Sequence, residues 1–139
     1  MSPVSDALFR LSSAVRYVAV YRYGVLTMDE RPNLRMPSSG DSDRYEELLV
    51  NPTVLTLTEQ RGDIDCGGLE FVLIRYGRFF QLVHRVPGGH VSISIEPEAD
   101  PLALGAAGPP RACRGRAVSD LTGQTLTGSF QRVGVGMIP

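Results

Sequence analysis

The sequence predicts an α+β domain, built as one five-stranded antiparallel sheet with helices on its faces. Two strand-rich stretches and the helical stretch between them carry this expectation. Residues 69–96 (LEFVLIRYGRFFQLVHRVPGGHVSISIE) read as a three-stranded meander, with β-branched and aromatic runs separated by glycine-bearing turns. Residues 15–28 (VRYVAVYRYGVLTM) read as a hairpin, and residues 41–61 as the main helix.

Along the chain, residues 3–12 form a short helix. Ser2 caps it, Pro3 suits its first position, and Ala7, Leu8 and Leu11 recur at helical spacing. The strand over residues 15–21 places Val15, Tyr17, Ala19 and Tyr21 on one face and Arg16, Val18 and Val20 on the other. Both faces are mostly apolar, so both are covered. Arg22, Tyr23 and Gly24 form the turn, and residues 25–28 return. Residues 29–40, with two prolines and no period, form a loop.

In the main helix, Asp43 and Glu46 have the spacing of a capping box. Arg61 favours the C-terminal end, and Gly62 is the expected stop. Pro52 predicts a kink, or a restart with Asn51 as the new cap. Tyr45, Leu48, Leu49, Val50, Val54, Leu55 and Leu57 cover more than one stripe. A helix that is apolar on two sides needs two neighbours, the sheet and something else, which points to an oligomer.

In the meander, Leu69, Phe71 and Leu73 share one face of the first strand, with Val72, Ile74 and Tyr76 on the other. In its last strand Val91, Ile93 and Ile95 face inward. Ser92, Ser94 and Glu96 make the opposite face polar, so that face is either wet or covered by something polar. Residues 97–107 hold a short helix capped at Asp100. Residues 108–139 read as a basic, disordered tail, with an extra hairpin around Gly123 as the alternative. The domain expected is therefore residues 1–107, and the tail 108–139.

A chain of 139 residues with 42% hydrophobic and 21% charged side chains fits one soluble globular domain. All 14 basic residues are Arg, yet the net charge is −1 and the arginines are scattered, which argues against a nucleic-acid partner. No apolar run approaches the ~20 residues that span a bilayer, and residues 1–7 lack the basic start of a signal peptide, so no membrane partner is expected. Cys66 and Cys113 have neither metal nor redox spacing and read as free thiols in a reducing cytoplasm.

Candidate chemistry is sparse. A thiol site would use Cys66 with His84 or His90, but Cys66 follows a helix end, where no dipole lowers its pKa. A metal site would use both histidines, but a third ligand is missing. With residues 87–89 as the loop, His84 faces roughly Ser92 rather than His90. Gly88-Gly89-His90 joins two strands and so lacks the helix N-terminus of a phosphate loop. Arg75, Arg78 and Arg85, beside Tyr76, Phe79 and Phe80, read as a solvated face or protein interface. No catalytic residue, cofactor or metal is expected, and the chain reads as a non-enzyme.

The order of elements, carried by VRYVAVYRYGVLTM, DRYEELLVNPTVLTLTEQRG and the meander, resembles the Roadblock/LC7 family over about residues 5–104. The resemblance implies a profilin-like sheet with a long central helix on one face and short terminal helices on the other. It implies a homodimer in which the first meander strand, residues 69–76, pairs with its twin and the central helices lie side by side. The interface would then use Tyr45, Leu48, Leu49, Leu55, Leu69, Phe71 and Leu73. It also implies a bacterial cytoplasmic scaffold that regulates or docks a small Ras-like GTPase or another signalling partner. The alternative is a small-molecule sensor of profilin- or PAS-like fold, with a pocket between sheet and main helix.

Overall fold

The computed structural model describes residues 1–114. A short helix α1 (Pro3–Leu11) leads into the hairpin β1 (Val15–Arg22) and β2 (Val25–Glu30). The central helix follows as α2 (Gly40–Tyr45), a π-helical turn (Glu46–Val50) and α3 (Asn51–Asp65). The meander is β3 (Val72–Arg75), β4 (Phe80–Val86) and β5 (Gly89–Ile95), and α4 (Pro101–Ala106) and a 3₁₀ turn (Arg111–Cys113) come last. The strands take the order β2-β1-β5-β4-β3, with every neighbouring pair antiparallel. The expected α+β architecture is the one observed.

The apolar core lies on one face of this sheet. Leu8 and Phe9 of α1 pack there with Val15, Val18, Leu82, Val86, Val91, Ile93 and Ile95. Alternation alone puts Val15 beside Tyr17. Instead the β1–β5 register shifts between these two residues, and this bulge turns Val15 into the core opposite Ile95. The loop after β2 is pinned at its start. The Arg31 guanidinium donates to the carbonyls of Val15 (2.5 Å), Phe9 (2.6 Å) and Ser12 (2.8 Å) and lies 4.8 Å from the centre of the Phe9 ring.

Several local expectations are corrected. Ser39, not Asp43, caps the central helix, its hydroxyl accepting from the Ser42 N–H at 3.1 Å. Asn51 is no new cap, because its backbone is helical (φ −61, ψ −47) and the chain passes through without restarting. Proline lacks the N–H for a bond to the preceding turn and its ring crowds that turn's carbonyl; the wide π-helical turn just before Pro52 relieves both. Gly62 does not stop the helix. It lies inside α3 because a Cβ there would sit 3.1 Å from the backbone of Gly68 and Leu69. The stop comes at Gly67 and Gly68, both at positive φ, with the Gly68 N–H returning to the Gly62 carbonyl at 3.1 Å.

β2 runs two residues further than expected, to Glu30, while β3 is shorter and begins at Val72. The β4–β5 register pairs His84 with Val91, one residue from the expected Ser92, because the turn holds only Pro87 and Gly88. The boundary at residue 107 also moves. Gly108 turns back at φ +75, the Arg114 side chain donates to the carbonyls of Ala107 and Pro109, and Cys113 is fully buried in the core. Cys113 thus belongs to the domain. The expected disorder over residues 115–139, and the alternative hairpin at Gly123, lie outside the described residues.

Candidate functional site

The second face of the sheet is polar and covered. Tyr17 of β1, Gln81 of β4 and His90, Ser92 and Ser94 of β5 are all buried. The sequence left open whether the serine face is wet or covered; the central helix covers it. Buried polar groups require partners. The Ser94 hydroxyl donates to Gln81 Oε1 at 2.7 Å, and the Gln81 amide donates to the Ser92 hydroxyl.

The helix contributes Glu47, which is fully buried. Its Oε2 lies 2.7 Å from His90 Nε2 and accepts from Asn51 Nδ2 at 3.0 Å, while the Tyr17 hydroxyl reaches Oε1 at 3.4 Å. With the proton on Nε2, His90 donates to the Glu47 carboxylate. The Tyr21 ring flanks His90 at a centroid distance of 5.7 Å. Glu47 and Asn51 are four residues apart across the π-helical turn, so one wide turn presents both to the sheet. Burial, with the nearby Glu47 charge, pushes the Tyr17 phenol far above its ordinary range.

Beside this network a cleft of about 550 Å³ opens between the central helix and the β3–β4 turn. Its walls include Tyr17, Asp43, Tyr45, Glu46, Glu47, Tyr76 and Phe79, with Gln81 and Ser94 also lining it. The Tyr76 hydroxyl lies 3.1 Å from both Glu46 oxygens, and the Ser38 hydroxyl donates to Asp43 Oδ1 at 2.6 Å. Burial pushes the Asp43 and Glu46 carboxyls above the usual carboxylate range, and the Glu47 charge adds to this against the hydroxyl bonds that oppose it. Burial and the adjacent Glu46 push the Tyr76 phenol up to about 12.

The residues singled out from sequence are dispersed. His84 and His90 project from opposite faces of the sheet. His84 lies on the core side, edge-on to Phe71 at 5.8 Å; burial pushes its pKa below the ordinary value, against a backbone hydrogen bond at Glu70. Cys66 is exposed at the end of α3 beside Asp65. Among the described residues no three His, Cys, Asp or Glu side chains come together in a way that could hold a metal. Arg75 lies over the Phe80 ring and Arg85 pairs with Glu59, so the arginines form no single basic patch.

Of the expected interface residues, Tyr45, Leu48 and Leu49 are exposed. Leu55 is fully buried and turned inward, so it is not part of an exposed face. Leu69, Phe71 and Leu73 are half-buried, and Phe71 packs against Gly105 of α4. Sequence reasoning did not bring Glu47, Asn51 and Tyr17 together as one buried network. Their one signal was an acid and an Asn-Pro set among the apolar residues of the helix, opposite a polar strand face. Compared with known proteins, the chain matches no protein-family model and no curated protein.

Proposed function

We propose that this chain is a non-enzymatic homodimerisation and scaffold domain that docks a signalling partner, with a small Ras-like GTPase as the first candidate. The observation that carries the proposal is the outer side of the central helix. Leu49 and Leu57 are 56% and 62% exposed there, while the inner side holds Glu47 and Leu55. Thr53 and Thr56, between them, direct their hydroxyls to the carbonyls of Leu49 and Pro52 in their own helix. An exposed apolar stripe of this kind marks a protein contact. β3 stands at the end of the sheet, and an antiparallel pairing with its twin would join two open edges and bring the helices together. A second copy therefore answers both features at once. The GTPase rests on the family resemblance.

Light scattering on a size-exclusion column tests this. The expected mass is about twice the chain's 15.1 kDa, falling to one chain in a folded Leu49→Asp variant. A wild-type monomer at every concentration overturns the proposal. A second reading, a small-molecule sensor, is favoured by the cleft, whose volume lies in the range of ligand sites.

A further inference from the structure

We infer that the cleft beneath the π-helical turn binds a small organic cation, an alkylammonium or guanidinium compound. The inference deepens the sensor reading and does not depend on dimerisation.

Two independent features of the cavity point to this ligand. The first is its aromatic wall: Tyr17, Tyr45, Tyr76 and Phe79 all line it. Aromatic faces attract cations through the ring quadrupole. Phe79 already does so on the protein's own account, with the Arg16 guanidinium carbon 5.7 Å from its ring centre.

The second feature is carboxylate charge that no arginine pairs with. Asp43, Glu46 and Glu47 line the same space. Glu47 is held by His90 and Asn51 as a fixed floor, whereas Asp43 and Glu46 meet only the hydroxyls of Ser38 and Tyr76. Among the described residues, the arginine ion pairs are Arg10–Asp6, Arg16–Glu96, Arg61–Asp65 and Arg85–Glu59, and none includes Asp43, Glu46 or Glu47. Arg78, the one arginine at the lining, is exposed.

Other ligand classes fit less well. An anion meets three carboxylates, and an apolar molecule would bury carboxylates without a partner. The carboxylates do not converge as metal ligands among the described residues. A cation relieves the repulsion between Asp43, Glu46 and Glu47 and lies against the rings.

The test is isothermal titration of the full chain with agmatine, beside 1,4-butanediol and succinate as neutral and anionic probes of similar length. Agmatine is expected to bind, and the other two are not. Asp43→Asn with Glu46→Gln should weaken agmatine at least tenfold. Tyr45→Ala, an exposed change that leaves the fold intact, should weaken it severalfold, and Glu98→Gln, on an exposed residue outside the cleft, should leave it unchanged. Butanediol binding as tightly as agmatine overturns the inference while leaving a sensor standing. No agmatine binding at millimolar concentration, or binding indifferent to both cleft variants, also overturns it.

Discussion

Glu47→Ala tests whether the buried carboxylate seats the central helix. The substitution strips the acceptor from Asn51 Nδ2 and His90 Nε2, both in fully or almost fully buried residues. Each orphaned donor costs about 1–3 kcal/mol. The Tyr17 contact, at 3.4 Å, adds little. Alanine's better helix propensity returns only about 0.5 kcal/mol. The expected loss is therefore about 2–5 kcal/mol. With a urea slope of about 1.5 kcal/mol per molar, the unfolding midpoint falls by about 1–3 M. Urea denaturation followed by circular dichroism measures this. A double-mutant cycle with Asn51→Ala should return a coupling of about 1–3 kcal/mol. A loss below about 1 kcal/mol with an unchanged slope would show that water reaches Glu47 and that the pair does not seat the helix.

Three further outcomes follow from the packing. Arg31→Lys should lose about 2–3 kcal/mol in the same assay, since an ammonium cannot reproduce a fork that reaches three carbonyls while lying on Phe9; stability equal to wild type would refute the pinning role. Gly89→Ala should prevent stable folding, because its Cβ would lie 1.7 Å from the Tyr21 carbonyl oxygen across the β1–β5 pairing; a cooperative thermal transition near that of wild type would contradict it. The His84 pKa lies below its ordinary 6.5 through burial, so the unfolded chain binds the proton more readily and stability falls as pH drops through 6.5. His84→Leu should flatten that slope between about pH 7.5 and 5.5. Asp43 and Glu46, with raised carboxyls, act in the opposite direction: they lose stability as pH rises from the carboxylate range, so a slope that survives His84→Leu unchanged would assign it elsewhere.

The sheet was legible in the sequence because its signals are local. Alternation through residues 17–21 and 91–95, and glycines at the turns, each depend on a few neighbours. What failed to read depends on contacts across the chain. Gly62 looks like a helix stop until Gly68 and Leu69 are seen against it. Cys113 looks like part of a polar tail until the core is seen to close on it. Asn51 looks like a cap because Asn before Pro commonly is one, but Glu47 one turn earlier claims its amide. The cleft was the least legible part. It is assembled from three strands, the β3–β4 turn, α2 and the π-helical turn, and no single stretch carries its pattern.

The central helix carries its polarity in an unusual sense. Glu47 and Asn51 face the sheet, while Leu49 and Leu57 face outward. Hydrophobic burial alone would favour rotating the leucines toward the protein. The rotation is blocked because the sheet face beneath is itself polar: His90 and Tyr17 would lose Glu47 as a partner and meet leucines that cannot hydrogen-bond. The polar strand face thus selects which side of the helix turns inward, and the π-helical turn brings Glu47 and Asn51 together on that side. The outward leucines are then a consequence of the inner network. Replacing His90 and Glu47 together by leucine should remove that selection, so the Leu49 contact and the buried pair are coupled through the rotation of one helix. If the double variant keeps the wild-type mass and the same sensitivity to Leu49→Asp, the inner network does not set the outer face, and the dimer proposal must stand on β3 alone.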